Sequence, residues 1–148
     1  MHYTASEVAK KLSVSKDTLR YYEKEDLLPT ISRNLSGHRT YTQDDIEWIY
    51  LVRCLRDTDM PISKIKQYVS LLKNGGSHSI PQRRDILLEH GELLKEKVRV
   101  QQTLLSLIDK KLEFYDDIIA NGNSETTECM DYATEWEHFK SILGGGNT

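Results

Sequence analysis

Cys54 and Cys129 carry the strongest nucleophiles in this sequence, and they stand 75 positions apart with no C-x-x-C pair. That spacing implies neither a disulfide scaffold nor a zinc ribbon, so each thiol is read alone, with a bridge between them left open. Attack on an electrophile needs the thiolate. At a pKa near ~8.5 about a tenth or less is ionised at neutral pH, whereas ~6.5 leaves it mostly ionised. Helical spacing around Cys54 does not supply that shift: its i−4, i−3, i+3 and i+4 neighbours are Tyr50, Leu51, Asp57 and Thr58, while Arg53 and Arg56 face elsewhere. Activation therefore has to come from tertiary contacts. The alternative for Cys54 is a small residue packed inside a helix. Cys129, which falls in an aromatic stripe, reads as packing.

A second kind of chemistry is phosphate recognition. Arg33, His38 and Arg39 crowd a short polar segment, and Lys16, Thr18 and Arg20 fall within five positions. The net charge of −3 argues against nucleic acid only if it is evenly spread. Residues 1–73 hold 12 basic and 10 acidic side chains, whereas 74–148 hold 8 and 13, so a mildly basic lobe precedes an acidic arm. Enzyme chemistry finds no foothold. His2, His38, His78, His90 and His138 show no ligand spacing, and the chain lacks a Gly-rich phosphate loop, H-E-x-x-H or G-x-S-x-G. No metal or cofactor is expected. No apolar run approaches the ~18 residues of a membrane span, and the polar start is unlike a signal peptide, so the expected location is the cytoplasm.

These groups must be held by helices. Thr4 and Glu7 have capping-box spacing ahead of Ala5, Val8, Ala9 and Leu12. After the turn at Leu12-Ser13-Val14, Ser15 is the N-cap of a second helix with Asp17 in its first turn. Residues 30–41 suit a β-hairpin wing with Leu35-Ser36-Gly37 at its tip. Thr42 and Asp45 cap a third helix running to about Arg56, and Ser63 is expected to cap a fourth with Ile65, Tyr68, Val69 and Leu72 inward. Between them Asp59 takes a sharp turn, being more tolerant of the left-handed region than most residues.

Gly75-Gly76-Ser77 marks a linker over 74–80. A single long helix then follows over 81–121, with Gly122 in the C-cap place. Alternating steps of four and three pick out Leu87, Gly91, Leu94, Val98, Gln101, Leu105, Ile108, Leu112, Tyr115 and Ile119, and eight of these ten are apolar. That is a coiled-coil seam about 60 Å long at about 1.5 Å per residue, which a second copy of the chain is expected to cover. Over 122–148, Cys129, Tyr132, Trp136, Phe139 and Leu143 predict a short final amphipathic helix ending at Gly144.

Taken together, Thr4-Ala5-Ser6-Glu7-Val8-Ala9, Ser15 to Glu23, Gly37-His38-Arg39-Thr40-Tyr41 and the helix pair from Asp44 to Val69 resemble the N-terminal domain of the MerR family of transcription regulators. The match covers about Tyr3 to Lys73, within a domain of residues 1–73. The resemblance implies a mainly α chain: a winged helix-turn-helix DNA-binding domain, a long helix forming an antiparallel dimerisation coil, and a short C-terminal helix. It implies a homodimer on a dyad-symmetric promoter that bends double-stranded DNA for RNA polymerase. The residues expected to meet DNA are Ser15, Lys16, Thr18, Arg20, Tyr22, Arg33, His38, Arg39 and Tyr41. Tyr22 is balanced between contact and core, and Tyr21 is expected in the core. Relatives that sense metals carry a cysteine at the start of the long helix and two in a loop after it; here Ser77-His78-Ser79 and Cys129 stand near those places. Cys54 instead resembles the thiol of the subfamily that answers aldehydes and nitrosative stress. Two alternatives are a regulator with a noncovalent ligand at the tail and coil, and a coiled-coil protein that binds no DNA.

Overall fold

A computed structural model describes residues 1–121 and 131–144, so Gly122 and Cys129 lie outside the described residues. Helix α1 (Ala5–Leu12) begins where expected: Thr4 Oγ1 accepts the Glu7 amide at 3.3 Å while the Glu7 carboxylate accepts the Thr4 amide at 2.7 Å. It ends at Ser13, in the left-handed region (φ 52°), and Val14 N–H closes the turn on the Ala9 carbonyl. Helix α2 (Lys16–Lys24) is capped by Ser15, whose Oγ accepts the Thr18 amide at 2.9 Å. Leu19 and Tyr22 are the buried side chains of α2.

The wing is larger than the expected hairpin. Strands β2 (Ser32–Arg33) and β3 (Arg39–Tyr41) pair antiparallel with Arg33 opposite Arg39, and β1 (Tyr3–Thr4) adds to the far edge of β3. Two residues are too few for an alternating pattern, which is why β1 left no trace in the sequence. The tip is held by Asn34, whose Oδ1 accepts the amides of Ser36 and His38, and Gly37 supplies the positive φ of 79°.

Helix α3 (Gln43–Asp57) carries the Thr42/Asp45 capping box. Asp59 takes up the left-handed conformation (φ 67°) and Met60 N–H returns to the Leu55 carbonyl. Helix α4 (Ile62–Asn74) departs from expectation. Its N-cap is Pro61, with no side-chain cap, and Ser63 lies inside the first turn. Proline fits this place because its φ is fixed and the first amides of a helix lack internal partners in any case. Leu72 is only half-buried. At the linker a side chain on Gly75 would meet Ser79 Cβ at 2.4 Å and the Leu71 carbonyl at 2.6 Å, so only glycine lets the chain double back there. A 3-10 turn (Ser77–Ser79) then leads into α5 (Ile80–Ala120), a helix of 41 residues.

The chain divides into two compact units, Met1–Leu94 and Lys95–Thr148. The first is centred on Val8, Leu19, Leu27, Tyr41, Ile49, Val52, Met60, Ile65 and Val69, all with under 2% of their surface exposed. Ile86 from the start of α5 joins this core, and the Trp48 indole N–H donates to the Leu27 carbonyl at 2.9 Å. In the second unit α6 (Tyr132–Gly144) packs on the end of α5. Phe114 and Phe139 are buried there, and the Phe114 ring meets the His138 ring edge-on at 4.9 Å. The Lys111 ammonium pairs with Glu135 at 2.6 Å and lies over the rings of Phe114, Tyr115 and Phe139, at 4.5 Å from the last. Among the described residues no helix is long and apolar enough to cross a membrane.

Candidate nucleic-acid interface

Helix α2 and the wing face each other across an open groove of about 470 Å³. Lys16 and Arg20 line it from the helix, and Arg33, His38, Arg39 and Tyr41 from the wing. The capping of α2 by Ser15 sets which side chains reach the groove: it starts the helix at Lys16, one turn before Arg20. The Ser15 and Thr18 hydroxyls bond each other at 2.8 Å, so both sit at the helix start without lining the groove.

The charges are organised around Glu23. Arg39 donates to its carboxylate through Nε, and Arg33 lies 3.7 Å from its other oxygen while also donating to the Gly37 carbonyl at 3.0 Å. One carboxylate between two guanidinium groups leaves the wing net positive and fixes both forks toward the groove. Arg20 pairs with Asp17 at 3.0 Å, but both are well exposed, so water screens the pair and Arg20 is held loosely.

The tyrosines reverse part of the expectation. Tyr22 is 4% exposed and belongs to the core, whereas Tyr21 is 43% exposed. The apolar face of α2 passes through Leu19 and Tyr22, three residues apart, and this places Tyr21 outside. Burial pushes the Tyr22 phenol above its ordinary value. Tyr41 is fully buried beneath the groove; burial raises its phenol too, and its hydroxyl has no hydrogen-bond partner among the described residues.

Cys54 lies half-buried on α3. Its neighbours follow the helical spacing: the Tyr50 phenol lies against the thiol, which holds that phenol above its ordinary value, and Thr58 donates to the Cys54 carbonyl at 2.9 Å. Arg53 is committed elsewhere, to the Leu12 carbonyl and to Asp57 at 3.1 Å. Among the described residues no three His, Cys, Asp or Glu side chains come together as a metal site.

Along α5, Leu87, Val98, Leu105, Ile108, Leu112, Tyr115 and Ile119 are 37–75% exposed, and Leu94 is half-buried. A second stripe was missed in the sequence. Ile86, Leu93, Val100, Leu107 and Phe114 recur every seven residues on a neighbouring face, and its first and last members are buried in the first and second units respectively. The strict spacing was visible, but the stronger alternation of four and three next to it drew the reading.

The family model described as MerR HTH family regulatory protein matches residues 3–72. The transcriptional regulator YyaN of Bacillus subtilis is 36% identical over 128 residues, covering 79% of this chain and 93% of that protein. The regulator AdhR of the same organism is 34% identical over 91 residues, 62% of this chain and 64% of that one. Among solved structures, HiNmlR, described as a MerR family regulator lacking the sensor domain and bound to promoter DNA, superposes with a TM-score of 0.77 at 32% identity, covering 85% of this chain and 95% of that one.

Proposed function

The chain belongs to the MerR family of DNA-binding helix-turn-helix transcription regulators, and from that premise we propose that it works as a homodimer on a dyad-symmetric promoter and answers reactive aldehydes through Cys54. The observation that carries the DNA part is the groove in which Lys16, Arg20, Arg33, His38 and Arg39 converge between α2 and the wing. In this reading the first turns of α2 enter the major groove, with Ser15, Lys16, Thr18 and Arg20 at the entry, while Arg33, His38 and Arg39 hold phosphates. Tyr41, fully buried, supports the wing from beneath the groove. Tyr22, being buried, supports α2 from below.

The exposed seam from Leu87 to Ile119 supports dimerisation, since an apolar stripe of this length is unfavourable in water and fits a second copy running antiparallel. Two heads fixed to one coil meet two half-sites, and a promoter with an overlong spacer is bent and untwisted for RNA polymerase. Elastic costs of about 1–6 kcal/mol set the scale that a change in the protein has to redistribute.

The aldehyde reading rests on the family resemblance, including the similarity to AdhR and HiNmlR, and on the half-buried position of Cys54. The sulfur adds to the carbonyl carbon, the thiol proton is given up, the C=O π pair takes up a proton, and a hemithioacetal results with no oxidant required. Such a group adds bulk beside Tyr50 at a half-buried position on α3. The test is promoter output with and without added aldehyde in cells carrying Cys54→Ser. Loss of induction with DNA affinity retained supports the reading, and unchanged induction removes Cys54 from it. Induction that survives replacement of both Cys54 and Cys129 favours a noncovalent effector at the end of α5 and α6, where three rings and Glu135 already hold the Lys111 cation.

A further inference from the structure

The corner between α3 and α4 is tied to the first turns of α5 by one short hydrogen bond between side chains: Thr58 Oγ1 and His90 Nε2 are 2.7 Å apart. The Thr58 hydroxyl also lies within hydrogen-bond reach of the helix carbonyls of Cys54 at 2.9 Å and Leu55 at 3.2 Å. When its one proton goes to those carbonyls, Thr58 accepts from the Nε2 tautomer of His90; with the proton on Nδ1, Thr58 donates to Nε2, and either way the bond joins the corner to α5. An ion pair between Lys64 and Glu89 at 3.4 Å crosses the same joint, but both partners are about half exposed or more and add little. Beside the two contacts Met60, Pro61, Ile86 and Leu93 border an open pocket of about 140 Å³, with Met60 and Ile86 themselves buried in the core. Apolar packing of Ile86 is non-directional, so the contact with a preferred geometry at this joint is the Thr58–His90 bond.

We propose that His90 is a positioning residue for DNA recognition: through Thr58 it sets the angle between the head and α5, and so the half-site spacing the dimer accepts. The proposal rests on the reading of the chain as a dimeric DNA-binding regulator. Thr58 also bonds the carbonyl of Cys54, so this contact lies on the helical turn next to the thiol.

The experiment uses the full chain and a dyad duplex that it enriches from a random pool, rebuilt as a ladder of spacers differing by single base pairs, with a duplex carrying one half-site for comparison. Wild type is expected to favour one spacing over its neighbours by tenfold or more. Thr58→Val and His90→Leu each reduce that ratio to threefold or less, leave single half-site affinity within twofold, and give no further loss when combined. Thr58→Ser and His90→Gln, which keep a hydroxyl and an N–H at the joint, retain the wild-type ratio. A wild-type ratio in Thr58→Val and His90→Leu overturns the proposal while leaving the DNA-binding reading intact. Equal loss in Thr58→Ser also overturns it, since the hydroxyl would then not be the cause. If wild type enriches no dyad at all, the underlying reading falls and the proposal falls with it.

Discussion

Leu105 sits near the middle of the exposed seam on α5, with 57% of its surface open to water in the single chain. Full burial of a leucine is worth about 1.5–3 kcal/mol, so covering the open part contributes roughly 0.9–1.7 kcal/mol per chain. A two-fold symmetric pair makes that contribution twice, so Leu105→Ala weakens association by up to roughly 2–3.5 kcal/mol, a rise in dissociation constant of about 25- to 300-fold. The lower half of that range is expected, because alanine keeps the β-carbon. Sedimentation equilibrium of the full chain across a dilution series measures the constant directly. Val100→Ala is the matched control: Val100 is 41% exposed but lies on the second stripe, and its removal should move the constant by less than about threefold. An unchanged dissociation constant for Leu105→Ala, or an equal effect from Val100→Ala, would refute the assignment of the seam.

Arg53→Met removes a guanidinium that ties the Leu12 carbonyl, at the C-terminal end of α1, to α3, and should destabilise the head by about 1–2 kcal/mol. Urea unfolding followed by tryptophan fluorescence in a Trp136→Phe background, which leaves Trp48 as the reporter, checks this, and an unshifted midpoint contradicts it. The Glu135 carboxyl is held below the ordinary glutamate range, first by the hydrogen bond from Lys111 and then by that from Tyr115. Its contribution to docking α6 is therefore present above the unfolded value of about 4.3 and is lost as pH falls through the lower folded value. A carbon-13 NMR titration of the Glu135 carboxyl should show a depressed midpoint in wild type and a return toward the ordinary value in Lys111→Met; identical midpoints would refute the pairing.

Most of the head could be read from local chemistry. Thr4 with Glu7, Ser15, and Thr42 with Asp45 each announce a helix start through a side chain that satisfies free amides, and such signals need no tertiary context. Ser63 misled because a good capping residue stood two places inside a helix that Pro61 had already begun. The basic groove was legible in residue types but not in its charge balance, since Glu23 meets Arg39 only when α2 and the wing fold together across 16 positions. The tyrosines show the same limit. Adjacent Tyr21 and Tyr22 differ by one helical step, and only the packing of α2 on the core decides which is buried. Thr58 and His90, 32 positions apart, leave no joint pattern in the sequence.

The central claim is that two copies, joined along α5, each place the α2 and wing groove on one half of a dyad. Sedimentation velocity of the full chain with the enriched dyad duplex, and with the same duplex after one half-site is scrambled, tests it most directly. Two chains are expected on the intact dyad, with a steep fall of affinity with salt, each phosphate contact contributing a slope of about −0.9 in log–log terms. Binding to the scrambled duplex is expected to be sharply weaker. One chain per duplex, or equal affinity for both duplexes at every salt concentration, would contradict it.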